Sequence, residues 1–146
     1  MQIDHDALIV VADGRKMLSF RNEGDADYPN FKVEHSEVID NPPTREQGTS
    51  RAGQASSPVG GRHSSMEPTD FHQIEEDRFA ADTASMLQRR ALANEFDKLI
   101  VVAPPTMLGE LRKHYHKQVK DRLVGELAKD LASHPVPEIE KILAAA

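Results

Sequence analysis

The chain contains no cysteine and no tryptophan, and only 5% of its 146 residues are aromatic. Without cysteine, disulfides, thiolate metal sites and a cysteine nucleophile are excluded. No apolar run approaches the roughly 18 residues that a membrane helix needs. The first six residues are acidic where a secretory signal is basic. We therefore expect a cytoplasmic protein that does not enter a membrane, with an aliphatic core and one domain over residues 1–146.

Basic residues are too few for a chain-wide nucleic-acid surface, since 18 Lys and Arg face 24 Asp and Glu and the net charge is -6. The hydrophobic fraction of 38% supports a core only if one stretch is left out of it. That stretch is the loop 41–70, which holds four of the eight glycines and four of the nine prolines. Its low apolar content cannot offset the entropy of ordering, so we expect a long mobile loop.

Strands are predicted by two continuous apolar runs, Ala7–Ala12 and Leu99–Ala103, which are typical of parallel strands buried on both faces. We expect these two strands to be adjacent. The runs at 17–20 and 31–39 predict two further strands, the second with one wet face, and Asp13 and Gly14 predict a hairpin turn. The first three strands then form an antiparallel meander.

Helices are predicted between and after these strands. Asp70 and Gln73 resemble a capping box at the start of the first helix, Thr106 is a candidate cap for the second, and Pro137 suits the first position of the last. An apolar stripe at helical spacing should place the first helix on the sheet; its members are Phe79, Ala80, Thr83, Met86, Leu87 and Ala91.

The segment 119–131 is ambiguous. Leucine or valine recurs there every four residues, which favours a helix, but Gly125 weakens a helix interior. We favour a strand within 122–127. The predicted order is βββαβαβα, an α/β domain with a five-stranded mixed sheet of ribonuclease-H-like architecture.

Five short segments, taken together in this order and spacing, resemble the bacterial host-attachment protein family over nearly the whole chain. The segment Arg62–Pro68 is the most distinctive. The five are Val10–Gly14, Gly61–Pro68, Arg78–Ala80, Val101–Pro105 with Leu108–Leu111, and Lys129–Leu131.

That family is distantly similar to the middle domain of archaeo-eukaryotic peptide-chain release factors. There the loop between the third strand and the first long helix carries a Gly-Gly-Gln tip that enters the peptidyl-transferase centre. The corresponding loop here contains Ala52-Gly53-Gln54 and Gly60-Gly61-Arg62, neither of which is that tripeptide. The resemblance implies a release-factor-like fold whose loop addresses RNA or the ribosome, and any effect on host attachment would be indirect.

Two segments are candidates for binding. The loop end contributes Gly61, Arg62, His63, Met66, Glu67 and Pro68. The basic stretch contributes Arg112, Lys113, Tyr115, Lys117, Lys120 and Arg122, a pattern that suits phosphate contacts and base stacking. The alternative interpretations are a loop end stapled to the helix start and a solvated helix end favoured by the macrodipole.

A divalent metal site is a further hypothesis, although no ligand motif of defined spacing is present. Its candidate ligands are Asp13, His63, Glu67, His72 and Glu76. The leading prediction needs no cofactor: a binding module that contacts RNA or the ribosome. The alternatives are a metal-dependent hydrolase or nuclease and a regulatory protein–protein adaptor.

Overall fold

The computed structural model describes residues 1–38 and 68–146, with the side chains of the first helix described from Gln73 onward. The elements in chain order are β1 (Leu8–Ala12), β2 (Lys16–Asn22), β3 (Phe31–Val38), α1 (Pro68–Leu92), β4 (Leu99–Ala103), α2 (Pro105–His114), α3 (Lys117–Arg122), β5 (Leu123–Ala128) and α4 (Val136–Ala145). Within this described part, no helix is long and apolar enough to cross a membrane.

The five strands form one mixed sheet in the order β3-β2-β1-β4-β5. β1 and β4 are adjacent and parallel, with Leu8 opposite Leu99 and Val10 opposite Val101, as predicted. β1, β2 and β3 form the predicted antiparallel meander, and β5 is parallel to β4. The α/β class and the five-stranded mixed sheet are therefore confirmed.

The core has two layers because side chains alternate across the central strands. On one face, Leu8 and Val10 of β1 pack with α1, α2 and α3. On the other face, Ile9 and Val11 pack with α4 and the segment before β1. All five residues of β1 and all five of β4 are fully buried, as the continuous apolar runs predicted.

Two predicted helix starts were wrong, and the third was one residue late. α1 begins at Pro68, two residues before the predicted capping box at Asp70, and Nε2 of Gln73 donates to Asp77 one turn later. α2 begins at Pro105 after Pro104, so Thr106 lies inside the helix and does not cap it. α4 begins at Val136, one residue before Pro137. Proline at the first turn explains the early starts, since its missing N–H has no partner to lose there.

The predicted loop 41–70 is shortened at one end, because residues 68–70 belong to α1. The rest of that prediction, including the mobility of the loop, concerns residues that lie outside the described ranges.

The ambiguous segment 119–131 contains both kinds of structure. The short helix α3 ends at Arg122 and β5 follows at once, so the preferred strand is confirmed and the order gains one extra helix.

The prediction of one buried face on β3 was wrong. Only Phe31 is buried on this strand, and Val33 is 56% exposed. β3 is an edge strand, and its pairing with β2 is shifted by an irregularity next to Ser19 and Phe20.

Candidate functional site

The carboxyl ends of the parallel strands β1, β4 and β5 lie at one edge of the sheet, which we call the carboxyl edge and which comprises 13–16, 104–106 and 129–130. Three of the five segments that carry the family resemblance reach this edge, since 10–14 and 101–105 end there and 129–131 begins there. Ligands of open α/β sheets bind outside the carboxyl ends of the strands. The carboxyl edge is therefore the leading candidate site.

The first helix passes this edge. An ideal Cβ built on Gly14 would stand 2.6 Å from Cγ and 2.9 Å from Oε1 of Glu76, so the β1–β2 turn packs directly against α1. The eight residues 68–75 continue beyond this contact, which at 1.5 Å per residue is about 12 Å of helix. The segment Gly61–Pro68 leads into that projecting end through Pro68, and its residues 61–67 lie outside the described ranges.

The turn between β1 and β2 is organised by Asp13. Its Oδ1 accepts hydrogen bonds from the backbone N–H groups of Arg15 at 2.8 Å and Lys16 at 2.7 Å. Aspartate commonly makes this kind of local turn. One carboxylate oxygen of Asp13 is thus committed to the backbone, and the exposed Arg15 is held at the tip of the hairpin.

The N-terminus of α2 also opens onto the carboxyl edge. Its N-cap residue, Pro104, makes no side-chain cap, and the first turn has no acidic residue. The N–H groups of Thr106 and Met107 come before the first intrahelical bond, which runs from Leu108 to the carbonyl of Pro104 at 2.8 Å. Unpaired N–H groups and the positive end of the helix dipole favour an anion at such a position.

Formal charges at the edge balance. Arg15, Lys16 and Lys129 form no ion pair with any residue of the described ranges, and the same holds for Asp13, Glu76 and Asp130. Because its side chains are not paired with one another, the edge can offer cations and backbone donors to a phosphate.

The metal hypothesis gains little from these positions. Glu76 lies beside Gly14, next to Asp13, so two of the five candidate ligands reach the same edge. No group of three or more His, Asp or Glu side chains within the described residues is arranged to hold a metal ion. His63, Glu67 and the side chain of His72 lie outside that part, and the metal site stays a prediction.

The basic stretch is mostly neutralised by local acids. Arg112 pairs with Glu126 of β5 at 2.9 Å. Lys113 pairs with Glu110 at 2.9 Å, and Lys117 pairs with Asp121 at 3.2 Å. Hydrogen bonding to Glu126 raises the pKa of Arg112, and hydrogen bonding to Glu110 raises the pKa of Lys113. Lys120 is exposed and is paired with no described residue. The local charge of the stretch is therefore smaller than its sequence suggests.

Arg122 lies at the amino ends of β4 and β5, away from the carboxyl edge. Its Nε donates to the carbonyl of Phe96 at 3.0 Å, and its Nη1 donates to the carbonyl of Gln118 at 3.0 Å and to Oε1 of the same residue at 2.8 Å. Its Nη2 donates to Oδ1 of Asn94 at 3.0 Å. Because these hydrogen bonds engage all three nitrogens of the guanidinium group, Arg122 has a structural role.

The expectation that Tyr115 stacks on a base was wrong for this structure. Tyr115 belongs to the core cluster between the sheet and α1, and only 8% of it is exposed. Burial raises the pKa of its hydroxyl well above the usual range. The ring faces the interior because Val119 and Leu111 on the flanking helices pack into the same cluster.

Asp13 was a candidate ligand in the sequence, whereas Arg15, Lys16 and the first turn of α2 were not predicted as site residues. The sequence did contain a signal for these positions. The β1–β2 turn and the first turn of α2 each follow one of the two apolar runs that were predicted to be adjacent and parallel strands, and the carboxyl ends of such strands lie at the same edge.

The five-stranded mixed sheet, with β1 and β4 adjacent and parallel, agrees with the release-factor-like α/β domain that the sequence resemblance implied. The family model of the bacterial archaeo-eukaryotic release factor family 12 matches residues 6–143, and the chain belongs to this family. The resemblance to host-attachment proteins in particular stays a prediction.

A protein of Rickettsia prowazekii (strain Madrid E), described only as uncharacterized, is 33% identical to the chain over 79 residues. The alignment covers 52% of this chain and 53% of that protein, so the chain spans about half the length of the relative.

Proposed function

We propose that the chain is a binding module that contacts ribosomal RNA through its carboxyl edge. The observation that carries the proposal is the family match over residues 6–143, which relates nearly the whole chain to release factors, proteins that act on the ribosome. Any influence on host attachment would then be indirect and would arise inside the cell.

The chemistry of the edge supports this assignment. RNA presents a phosphate at every nucleotide, and phosphates are bound by Lys, Arg, backbone N–H groups and helix N-termini. The edge brings together Arg15, Lys129 and the open first turn of α2. The loop end 61–67, which includes Arg62 and His63, joins the projecting end of α1 and belongs to the same proposal.

The basic stretch takes a smaller part in the proposed interface. Contact with RNA would require Arg112, Lys113 and Lys117 to give up partners at 2.9 to 3.2 Å. Lys120 is the exception and can contact phosphate without losing an ion pair to a described residue.

Co-sedimentation with purified ribosomes tests the proposal. We expect the chain to travel with ribosomes at low salt and to stay at the top of the gradient after ribonuclease treatment or at high salt. Arg15→Gln combined with Lys129→Gln should weaken the association. Lys113→Gln combined with Lys117→Gln is the matched control, since it removes the same formal charge from paired positions. A chain that stays at the top at every salt concentration would overturn the proposal.

The proposed contact needs no divalent metal. EDTA should therefore leave both the association with magnesium-independent RNA fragments and the melting temperature unchanged. Loss of binding in EDTA that Mg²⁺ or Mn²⁺ restores would favour the metal-dependent alternative instead.

A further inference from the structure

The outer edge of β3 is open along the described part of the chain. β3 is the last strand of the sheet on its side, and residues 1–38 and 68–146 place no strand beyond it. The N–H of Glu23 donates to the carbonyl of Asn30 at 2.8 Å, so the carbonyl of Asn30 points towards β2. The N–H of Phe31 points away from β2 and donates to the carboxylate of Glu140 in α4 at 2.7 Å. Along a strand, successive backbone groups alternate in direction.

Only part of this edge can accept another strand. The N–H of Phe31 is already bonded, and the register shift between β2 and β3 makes residues 33–35 irregular. The carbonyl of Lys16 accepts from Asp13 on the β1 side of β2, so alternation turns the backbone of Met17 and Ser19 towards β3, where Glu37 and His35 lie opposite them. Alternation therefore turns the N–H and C=O groups of Ser36 and Val38 outward.

The two faces of this edge differ in chemistry. On the α4 side, Val33 and Val38 are 56% and 60% exposed, and the partly buried Leu18 lies opposite Ser36. On the α1 side, β3 and α1 enclose a groove of about 550 Å³, lined by Glu34, His35 and Glu37 of the strand and by Asp82, Met86 and Arg89 of the helix.

The charges of the groove are uneven along its length. Glu34 is neutralised by Arg21 and Arg90 at 2.9 and 2.7 Å. Glu37 and Asp82 form no ion pair with a Lys or Arg of the described residues, and the nearest partner of Glu37 is the His35 ring at 3.8 Å. Arg89 lies about two helical turns from Asp82, towards the irregular end of the edge. The part of the groove beside Ser36 and Val38 is therefore acidic.

We propose that the β3 edge binds an extended peptide in which basic residues alternate with apolar ones. Such a peptide adds a strand to β3 by bonding the outward groups of Ser36 and Val38, a known mode of peptide recognition. Its basic side chains project over Glu37 and Asp82, and its apolar side chains lie beside Val33 and Val38. A second copy of β3 would bring its own glutamates to the same edge. It is a less favourable occupant than a basic peptide, because like charges on opposed strands repel each other.

The test uses the full chain and labelled hexapeptides measured by fluorescence anisotropy at low salt. A peptide of alternating lysine and valine should bind about tenfold more tightly than one of alternating glutamate and valine. A lysine–valine peptide with N-methylated backbone should lose binding, because it keeps the charges and cannot pair with the strand. The amide resonances of Ser36 and Val38 should shift on binding.

Variants locate the site. Glu37→Lys should weaken the lysine–valine peptide about fivefold, since an attractive cross-strand pair becomes repulsive. Asp97→Lys, at an exposed position just before β4 and outside the carboxyl edge, makes the same charge change and should alter the affinity less than twofold. Equal affinity for both peptides, equal effects of the two variants, or shifts confined to other amides would overturn the proposal. A chain that sediments as a dimer through β3 would also overturn it, because the occupant would be a second copy.

Discussion

Arg122 offers a sharp test of whether the basic stretch serves stability or RNA binding. It makes four hydrogen bonds of 2.8 to 3.0 Å to Phe96, Gln118 and Asn94. Asn94 lies two residues after the end of α1 and has a positive φ of 57°, and beside it the N–H of Glu95 donates to the carbonyl of Arg90. Arg122 thus joins the end of α1 to the starts of β4 and β5.

The expected cost of Arg122→Gln follows from these contacts. A hydrogen bond from a charged group contributes about 1.5–3 kcal/mol, and an acceptor left buried and unpaired costs about 1–3 kcal/mol. Arg122 is only partly buried, and water can reach some of the released acceptors, so we expect a total loss of about 2–3 kcal/mol. Lys120→Gln, two positions away and exposed, should change stability by no more than about 0.5 kcal/mol.

Urea denaturation followed by circular dichroism measures both variants. The midpoint for Arg122→Gln should fall with an unchanged slope, and the residual binding of folded protein to RNA should match that of the wild type. Equal stabilities of Arg122→Gln and Lys120→Gln, together with a selective loss of RNA binding by the former, would refute the structural role of Arg122.

Three further results are expected. Asn22→Ala should lower the free energy of unfolding by about 3 kcal/mol. The buried side chain of Asn22 donates to the carbonyls of Ile3 and Asp4 and accepts from the N–H groups of Gly24 and Asn30. Calorimetry that finds no loss of stability would contradict this. Tyr115→Phe should be neutral or stabilising, since the buried hydroxyl has no partner within the described structure; a marked loss of stability in urea would show that the hydroxyl is bonded. Burial disfavours the charged form of Glu34, but hydrogen bonds and charges from Arg21 and Arg90 outweigh it and lower the pKa of Glu34 below 4.5. The stability that the interaction of Glu34 with the two arginines supplies is therefore complete above about pH 4.5 and is lost as the pH falls through the lowered pKa. Glu34→Gln should flatten the pH dependence of the free energy of unfolding in that range. Parallel curves of stability against pH for wild type and variant would contradict this.

Elements defined by local pattern were predictable from the sequence. β1 and β4 are short, continuous apolar runs, and such runs are buried on both faces wherever they occur in a parallel sheet. β5 was harder, because Val119, Leu123 and Leu127 suit a helix as well as a strand. The chain uses both, with α3 ending where β5 begins.

The site was less predictable because its contacts are distant in sequence. Arg112 meets Glu126 14 residues away, and Arg122 meets Asn94 28 residues away, so neither partner is visible in a charge run. Tyr115 sits among Arg, Lys and His in the sequence, and only the packing of α2 and α3 on the sheet shows that it is buried. The edge position of β3 likewise depends on the strand order and not on its own alternation.

The salt dependence of binding to a single-stranded RNA oligonucleotide tests the proposed carboxyl-edge interface most directly. Each phosphate contact contributes about -0.7 to the slope of log K against log salt. Arg15→Gln with Lys129→Gln should therefore flatten the wild-type slope by about 1.4, while Lys113→Gln with Lys117→Gln should change it by less than half as much. The reverse order of the two double variants, or no binding by the wild type at low salt, would contradict the account.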